Sequence, residues 1–467
     1  MFEKLFSLFS KKEVNAAPVT ATKSYSYNIN DPSTPALVEN TALPAMGGLK
    51  YTVKNFTTTP KNKTEQQAIN CYINLGNCIN YVQGNAKTTI KNWAATSDLS
   101  IIPQAGKELN AYYDRSSLRF FYYSSGLKTM YTADSCDVVA HEMGHALLDA
   151  MRPDFWSVQS LEIWSFHEAF ADICALVSIM QYDTVLNNIL ESTNNDISKS
   201  NSVSKLAEEF GVLVHSLGGS KAGSLTDCLR NPALEQFKYV NPSKLPTKGR
   251  DDQLLSESHS FGRVFTAAWY KILVEIYKLE LARLKNPLSA LKSARDISFT
   301  SLVQAIPSAP RVVNCYDAVA SSMINIAKIK YPNYWAVMNE VFIDWNMLAK
   351  PIKILSNTTY HDLVANLKRD DQVIKNSKFT TIRLVNNKTI KLNSLSILSD
   401  NKLNNVEFEV PSDEYYQFDE NGNLVDEVLY DEEATMKSAE FCIQSVEKSL
   451  DKMWSVQDGK LVRNYIA

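Results

Sequence analysis

DVVAHEMGHALLDAM, residues 137–151, carries two histidines four positions apart with a glutamate directly after the first. On an α-helix that spacing stacks two side chains one turn apart on one face, so His141 and His145 can offer two imidazole nitrogens to one ion. Zinc accepts such donors in a tetrahedral shell, leaving places for a third protein ligand and a water. Glu142 stands beside the pair, where a carboxylate can take a proton from that water. The chain has only six histidines, so composition alone rarely produces H-E-x-x-H, and a purely structural histidine pair is the weaker reading.

Working outward, SFHEAFAD (165–172) opens a second helical stretch with two acids four positions apart. Glu168 can complete the metal shell from a neighbouring helix. Asp172, one turn later on the same face, can accept the remaining N–H of a ligating histidine. Alone, such a pair more often marks a solvated face; in an apolar helix that follows H-E-x-x-H the balance reverses. His167 is set aside as a ligand, because one step along a helix turns a side chain by about 100°.

With these residues in place, the chain resembles the thermolysin family of zinc peptidases, in which H-E-x-x-H is followed by a glutamate on a second helix. The resemblance covers roughly residues 50–348. It implies an α+β fold: a two-lobed catalytic unit with a β-containing N-lobe and a mainly α-helical C-lobe. Asn110, Ala111, Tyr112 and Tyr113 resemble the family's edge strand that bonds substrate backbone. Leu229 and Arg230, in DCLRNP, resemble residues that line the primed-side pocket and bind the substrate carbonyl, and with Val138 imply an apolar pocket. His259, in SHSFGRVF, resembles the second catalytic histidine, a donor to the developing oxyanion. There are departures. The 22 residues between His145 and Glu168 are a few more than in thermolysin itself. The family's oxyanion tyrosine has no clear match there, Trp156 and Trp164 being the nearby aromatics. Asp137 matches an acid of the double calcium site, but Ile179 stands where a second-helix glutamate belongs, so one zinc ion is expected and calcium in its usual form is not.

At 467 residues with 45% apolar and 21% charged residues and a formal net charge of -3, the chain has the composition of a soluble globular protein of several units, and no basic balance points to nucleic acid. Seven cysteines, with no C-x-x-C, suggest neither a disulfide framework nor a cysteine zinc knuckle. MFEKLFSLFSKK is a poor secretory signal and no apolar run is long enough for a membrane span, so a cytoplasmic protein is expected, or one released or injected by a leaderless route.

Residues 1–49 read as a short amphipathic helix (Phe2, Leu5, Phe6, Phe9) and an irregular Pro/Ser/Thr arm, not a core element. Residues 50–150 form the N-lobe, with a helix over 65–82 and a strand over 118–123. Residues 151–350 are mainly helical. Beyond them, 351–467 read as a separate small α+β accessory domain: strands in FTTIRLV, KTIKLNSL, NVEFEV and LVDEVLY, a helix in EATMKSAEFCIQSVEKSL and a last strand in GKLVRNYI. The implied activity is hydrolysis of internal bonds in a peptide or protein, with Glu142 as general base and His259 and Arg230 stabilising the oxyanion. An aminopeptidase would need a site for a free amine, and no G-x-M-E-N-like segment supplies one. The reading from another class is a catalytically weak zinc scaffold whose C-terminal domain binds a protein partner, for which the acidic run Asp426–Glu427 through Asp431–Glu433 suits a basic one. A leaderless protease toxin or effector is the other alternative.

Overall fold

The computed structural model describes residues 23–34, 38–45, 48–86, 89–125, 128–218, 225, 227–250, 252–348, 358–375, 378–391, 406–446, 454–457 and 460–463. It begins with an antiparallel pair, β1 (Tyr25–Asn28) and β2 (Val38–Thr41), then β3 (Tyr51–Val53) and the helix α1 (Lys63–Asn85). Five strands follow: β4 (Leu99–Ile102), β5 (Ala111–Tyr113), β6 (Ser117–Phe120), β7 (Tyr122–Ser125) and β8 (Lys128–Tyr131). A helical half comes next: α2 (Cys136–Met151), α3 (Leu161–Ile179), α4 (Asp183–Thr193), α5 (Glu208–Gly218), α6 (Ser258–Leu284), α7 (Pro287–Ala305), α8 (Cys315–Lys330) and α9 (Trp335–Asp344). The C-terminal part holds α10 (Tyr360–Ala365), β9 (Gln372–Lys375), β10 (Phe379–Leu384), β11 (Thr389–Lys391), β12 (Glu407–Glu409), β13 (Glu414–Asp419), β14 (Leu424–Val428), α11 (Glu432–Val446), β15 (Trp454–Gln457) and β16 (Lys460–Arg463). Mixed helix and strand content fits the expected α+β class.

The N-terminal sheet has the order β3-β4-β6-β5, parallel except for β5, which pairs antiparallel with β6 at the edge. The strand expected over 118–123 is two strands, broken at Phe121, whose N–H donates to the Thr132 hydroxyl at 2.9 Å. α1 starts on a reciprocal cap: Asn62 accepts from the Glu65 N–H at 3.0 Å, and the Glu65 carboxylate accepts from the Lys61 N–H at 2.6 Å.

α3 is the central rod. All its residues are buried, consistent with a helix that is apolar nearly all round. α2 lies against it at near-backbone contact, because a Cβ at Gly144 would stand 2.7 Å from the Ala171 Cα. α6 closes in from another side, where a Cβ at Gly262 would stand 2.9 Å from the Glu168 Cβ. Both glycines act here by being small rather than by being flexible.

Two expectations about organisation need correction. The amphipathic stretch of residues 1–12 lies outside the described residues, but the following arm is not all irregular. Tyr25, Tyr27 and Ile29 are buried in the main core, and Asp31 accepts from the Ser135 hydroxyl at 2.9 Å and the Glu209 N–H at 3.2 Å. Their alternation, with a period of two, is hidden in a polar composition. Nor does the C-terminal part stand apart. Leu161 and Trp164 of α3 share a core with Val406, Phe408, Val410, Ala439, Cys442 and Ile443. Among the described residues no single helix is long and apolar enough to cross a membrane.

Candidate active site

α2 and α3 bring three donor atoms together. His141 Nε2 and His145 Nε2 are 3.2 Å apart, and each stands 3.6 Å from Glu168 Oε2. Four ligands held tetrahedrally at about 2.1 Å from zinc stand about 3.4 Å from one another, so this triangle has the dimensions of three corners of a zinc shell. The donor chemistry agrees. His141 Nδ1 faces Asp172 Oδ1 at 2.9 Å, so Nδ1 carries the hydrogen and Nε2 turns its lone pair toward the centre. Glu168 Oε2 is buried and accepts no hydrogen bond. The residues therefore fit a zinc ion.

The electrostatics have the same sense. Burial raises the Glu168 carboxyl, but the nearby histidines His259, His145 and His141 outweigh it and hold the group well below the usual range. Burial likewise raises Asp172, while Arg230, at 2.6 Å, and His141 bring it down. Burial lowers both histidines of the pair. His145 stays low, whereas Asp172 and Glu168 push His141 up to about 10, the response of a site that has gathered negative charge for a cation. Glu142 is raised to about 7 by burial first and by Glu168, against His141, His259 and Arg230. Its Oε2 is buried with no hydrogen-bond partner.

A cavity of about 70 Å3 adjoins the triangle. Of the residues singled out from sequence, Ala111, Val138, His141, Glu142, Asp172, Leu229, Arg230 and His259 all line it. Asn110 sits just outside: its amide donates to Glu108 at 3.2 Å and its carbonyl accepts from the Thr132 hydroxyl. Tyr113 needs correcting. Its ring is fully buried, edge-on to Trp156, and its hydroxyl donates to Asp149 at 2.9 Å, so its side chain belongs to the core and only its backbone belongs to the edge strand. Trp156 packs in that core, and Trp164 donates its indole N–H to the Val158 carbonyl at 2.7 Å. Among the described residues no tyrosine lines the cavity.

Several contributors escaped the sequence reading. Glu257 caps α6 by accepting from the His259 and Ser260 N–H groups, and it meets His259 Nδ1 at 2.7 Å. His259 thereby points Nε2 to within 3.4 Å of Glu168. Burial lowers His259, but Glu168 and Glu257 raise it further, which favours the charged donor. An acid just before a helical run is a cap signal, and that signal was available in E-S-H. Leu206, Ala207 and Phe210 also line the cavity. They arrive through a bridge in which the Leu206 N–H donates to the Arg230 carbonyl at 2.9 Å, an irregular pairing with no periodic trace in the sequence. Asp137, at the start of α2, accepts from Ser135, from the Val138 N–H at 2.8 Å and from the Ala207 N–H at 2.5 Å, so it braces this cavity wall.

No curated protein matches the chain. The family comparison spans His141, Glu142 and His145 and ends before Glu168, Arg230 and His259. Residues 10–149, a segment that includes the histidine helix, match the family model of the thermolysin metallopeptidase catalytic domain.

Proposed function

We propose that the chain is a zinc endopeptidase that cuts internal peptide bonds ahead of an apolar residue. The observation that carries this reading is the triangle of His141, His145 and Glu168 opening on a cavity into which Glu142 brings an unpartnered carboxylate oxygen. His141, His145 and Glu168 would hold the zinc, which would supply Lewis-acid chemistry to the scissile carbonyl and to a water. Glu142 takes the proton of the attacking water and passes it to the departing amine. His259 Nε2 donates to the oxygen of the tetrahedral intermediate. Arg230 assists: Asp172 holds one end of its guanidinium, while Nε is buried without a partner. Substrate lies along the open edge of β5 as an added strand, read mainly through its backbone at Asn110 and Ala111. Val138, Leu206, Phe210 and Leu229 give the adjoining pocket its apolar preference. Because Ser135, Val138 and Ala207 already occupy Asp137, the reading includes no calcium site of the family's usual form.

The test compares wild type with Glu142→Gln for bound zinc and for cleavage of casein and a quenched peptide library, with and without chelator. One zinc in both proteins, with activity in the variant reduced about a thousandfold, supports the assignment. Zinc binding without turnover by the wild type refutes it and favours the scaffold reading.

A further inference from the structure

The chain between the two ligand-bearing helices, residues 152–160, is held from the C-terminal part of the molecule. Val158 bridges in parallel to Glu409, the Gln159 N–H donates to the Glu409 carbonyl at 2.9 Å, and the Ser157 hydroxyl donates to Glu409 Oε2 at 2.6 Å. On one side of this contact, Arg311 donates to the Asp154 carbonyl at 3.2 Å and to Asn386 and Asn387 at 2.9 Å, while its own N–H reaches Asp413 at 3.0 Å. On the other side, Phe408 and Val410 pack on Leu161 and Trp164, the first turn of α3. Trp164 lies four residues before Glu168, one helical turn away on the same face. A single segment, 406–413, thus grips both the loop that separates the ligand helices and the turn that delivers the third ligand.

We propose that this segment is a strap that sets the position of Glu168 relative to His141 and His145, with Glu409 as its positioning residue, so that retention of the metal depends on the C-terminal part of the chain. The inference rests on the zinc reading above. It also accounts for the longer connection between His145 and Glu168, since residues 154–159 supply the surface that the strap grips.

The experiment uses the full chain with Glu409→Ala, Glu409→Gln, Phe408→Ala and, as a control, Phe418→Leu. Phe418 belongs to the separate cluster with Leu363, Ile382 and Tyr416. Zinc affinity and release to a chelator are measured beside thermal unfolding, and amide exchange over 152–168 is followed in the metal-free proteins. Glu409→Ala and Phe408→Ala are expected to weaken zinc binding about tenfold or more, the scale seen for groups that orient metal ligands at one remove. Glu409→Gln, which keeps an acceptor for Ser157 but gives up the charge facing Arg311 at 3.6 Å, should fall between wild type and Glu409→Ala, and Phe418→Leu should lower the unfolding temperature without changing release. Wild-type zinc release in both strap variants, or equal acceleration by the control, overturns the proposal. If the wild type binds no zinc, the peptidase reading fails separately. Exchange then still decides on the strap: faster exchange over 152–168 in Glu409→Ala upholds it, and unchanged exchange overturns it.

Discussion

The α2–α3 pair and the strap interface share α3, at Ala171 and at Leu161 and Trp164, yet they differ in how they are held. Between the helices the contact is apolar and almost backbone to backbone, with Gly144 against Ala171. At the strap, guanidinium groups of Arg152, Arg311 and Arg383 meet the acids Asp154, Glu409 and Asp413, mostly out of solvent. Close packing fixes distance and is indifferent to charge. Buried ion pairs fix direction, but leave a charge uncompensated when one member is lost. On the proposed zinc reading, the triangle of His141, His145 and Glu168 takes its distances from the first and its alignment from the second.

The sharpest way to break this comparison is to remove the acid that serves two arginines. Asp413→Ala leaves Arg311 and Arg383 short of a partner and should cost about 3–5 kcal/mol in urea unfolding. An isosteric change within the apolar helix contact should cost much less. Within the site itself, His259→Ala should lower kcat about a hundredfold while bound zinc stays stoichiometric. Equal loss of zinc and activity would mean that His259 supports the shell rather than the oxyanion.

A smaller effect concerns pH and the N-terminal arm. Glu208 accepts from the Thr34 hydroxyl and is raised to about 8, by burial first and then by Asp137 and Asp31, against the Thr34 bond. Burial and Asp31 raise Asp137 to about 6. The single Ser135 hydroxyl lies between Asp31 and Asp137, so one hydrogen faces two carboxyl groups. For an acid whose folded pKa is raised, the folded state keeps a proton that the unfolded chain has released. The stability it contributes is full below the ordinary value of 4.5 and is lost as pH rises through about 8. Unfolding free energy should therefore fall by about 3 kcal/mol between pH 5 and 8, and Glu208→Gln should flatten the slope. A slope unchanged in that variant would assign the effect to other groups.

What the sequence made legible follows from periodicity. His141, His145, Glu168 and Asp172 sit at helical spacings, and a spacing of four has one geometric meaning on a helix. A strand's alternation distinguishes two faces without saying which is inward. The resemblance that offers Tyr113 to substrate does not settle this either, and β5 turns Ala111 and Tyr113 inward and Tyr112 partly outward. The wall formed by Leu206, Ala207 and Phe210 depends on an irregular bridge across the chain, and the strap on a contact between residues remote in sequence. Neither leaves a local pattern. The arm was misjudged for a third reason, because Tyr25, Tyr27 and Ile29 are embedded among residues typical of linkers.

The reach of one hydrogen bond has a consequence for how the protein is made. Ser157 and Glu409 are separated by 252 positions. At synthesis rates of about 5–20 residues per second, roughly 10–50 s pass between the emergence of the ligand helices and that of the segment that secures them. During that interval the nascent chain already carries both histidines and Glu168 but lacks residues 406–413, so on the proposed reading the centre is secured only after that segment has left the ribosome.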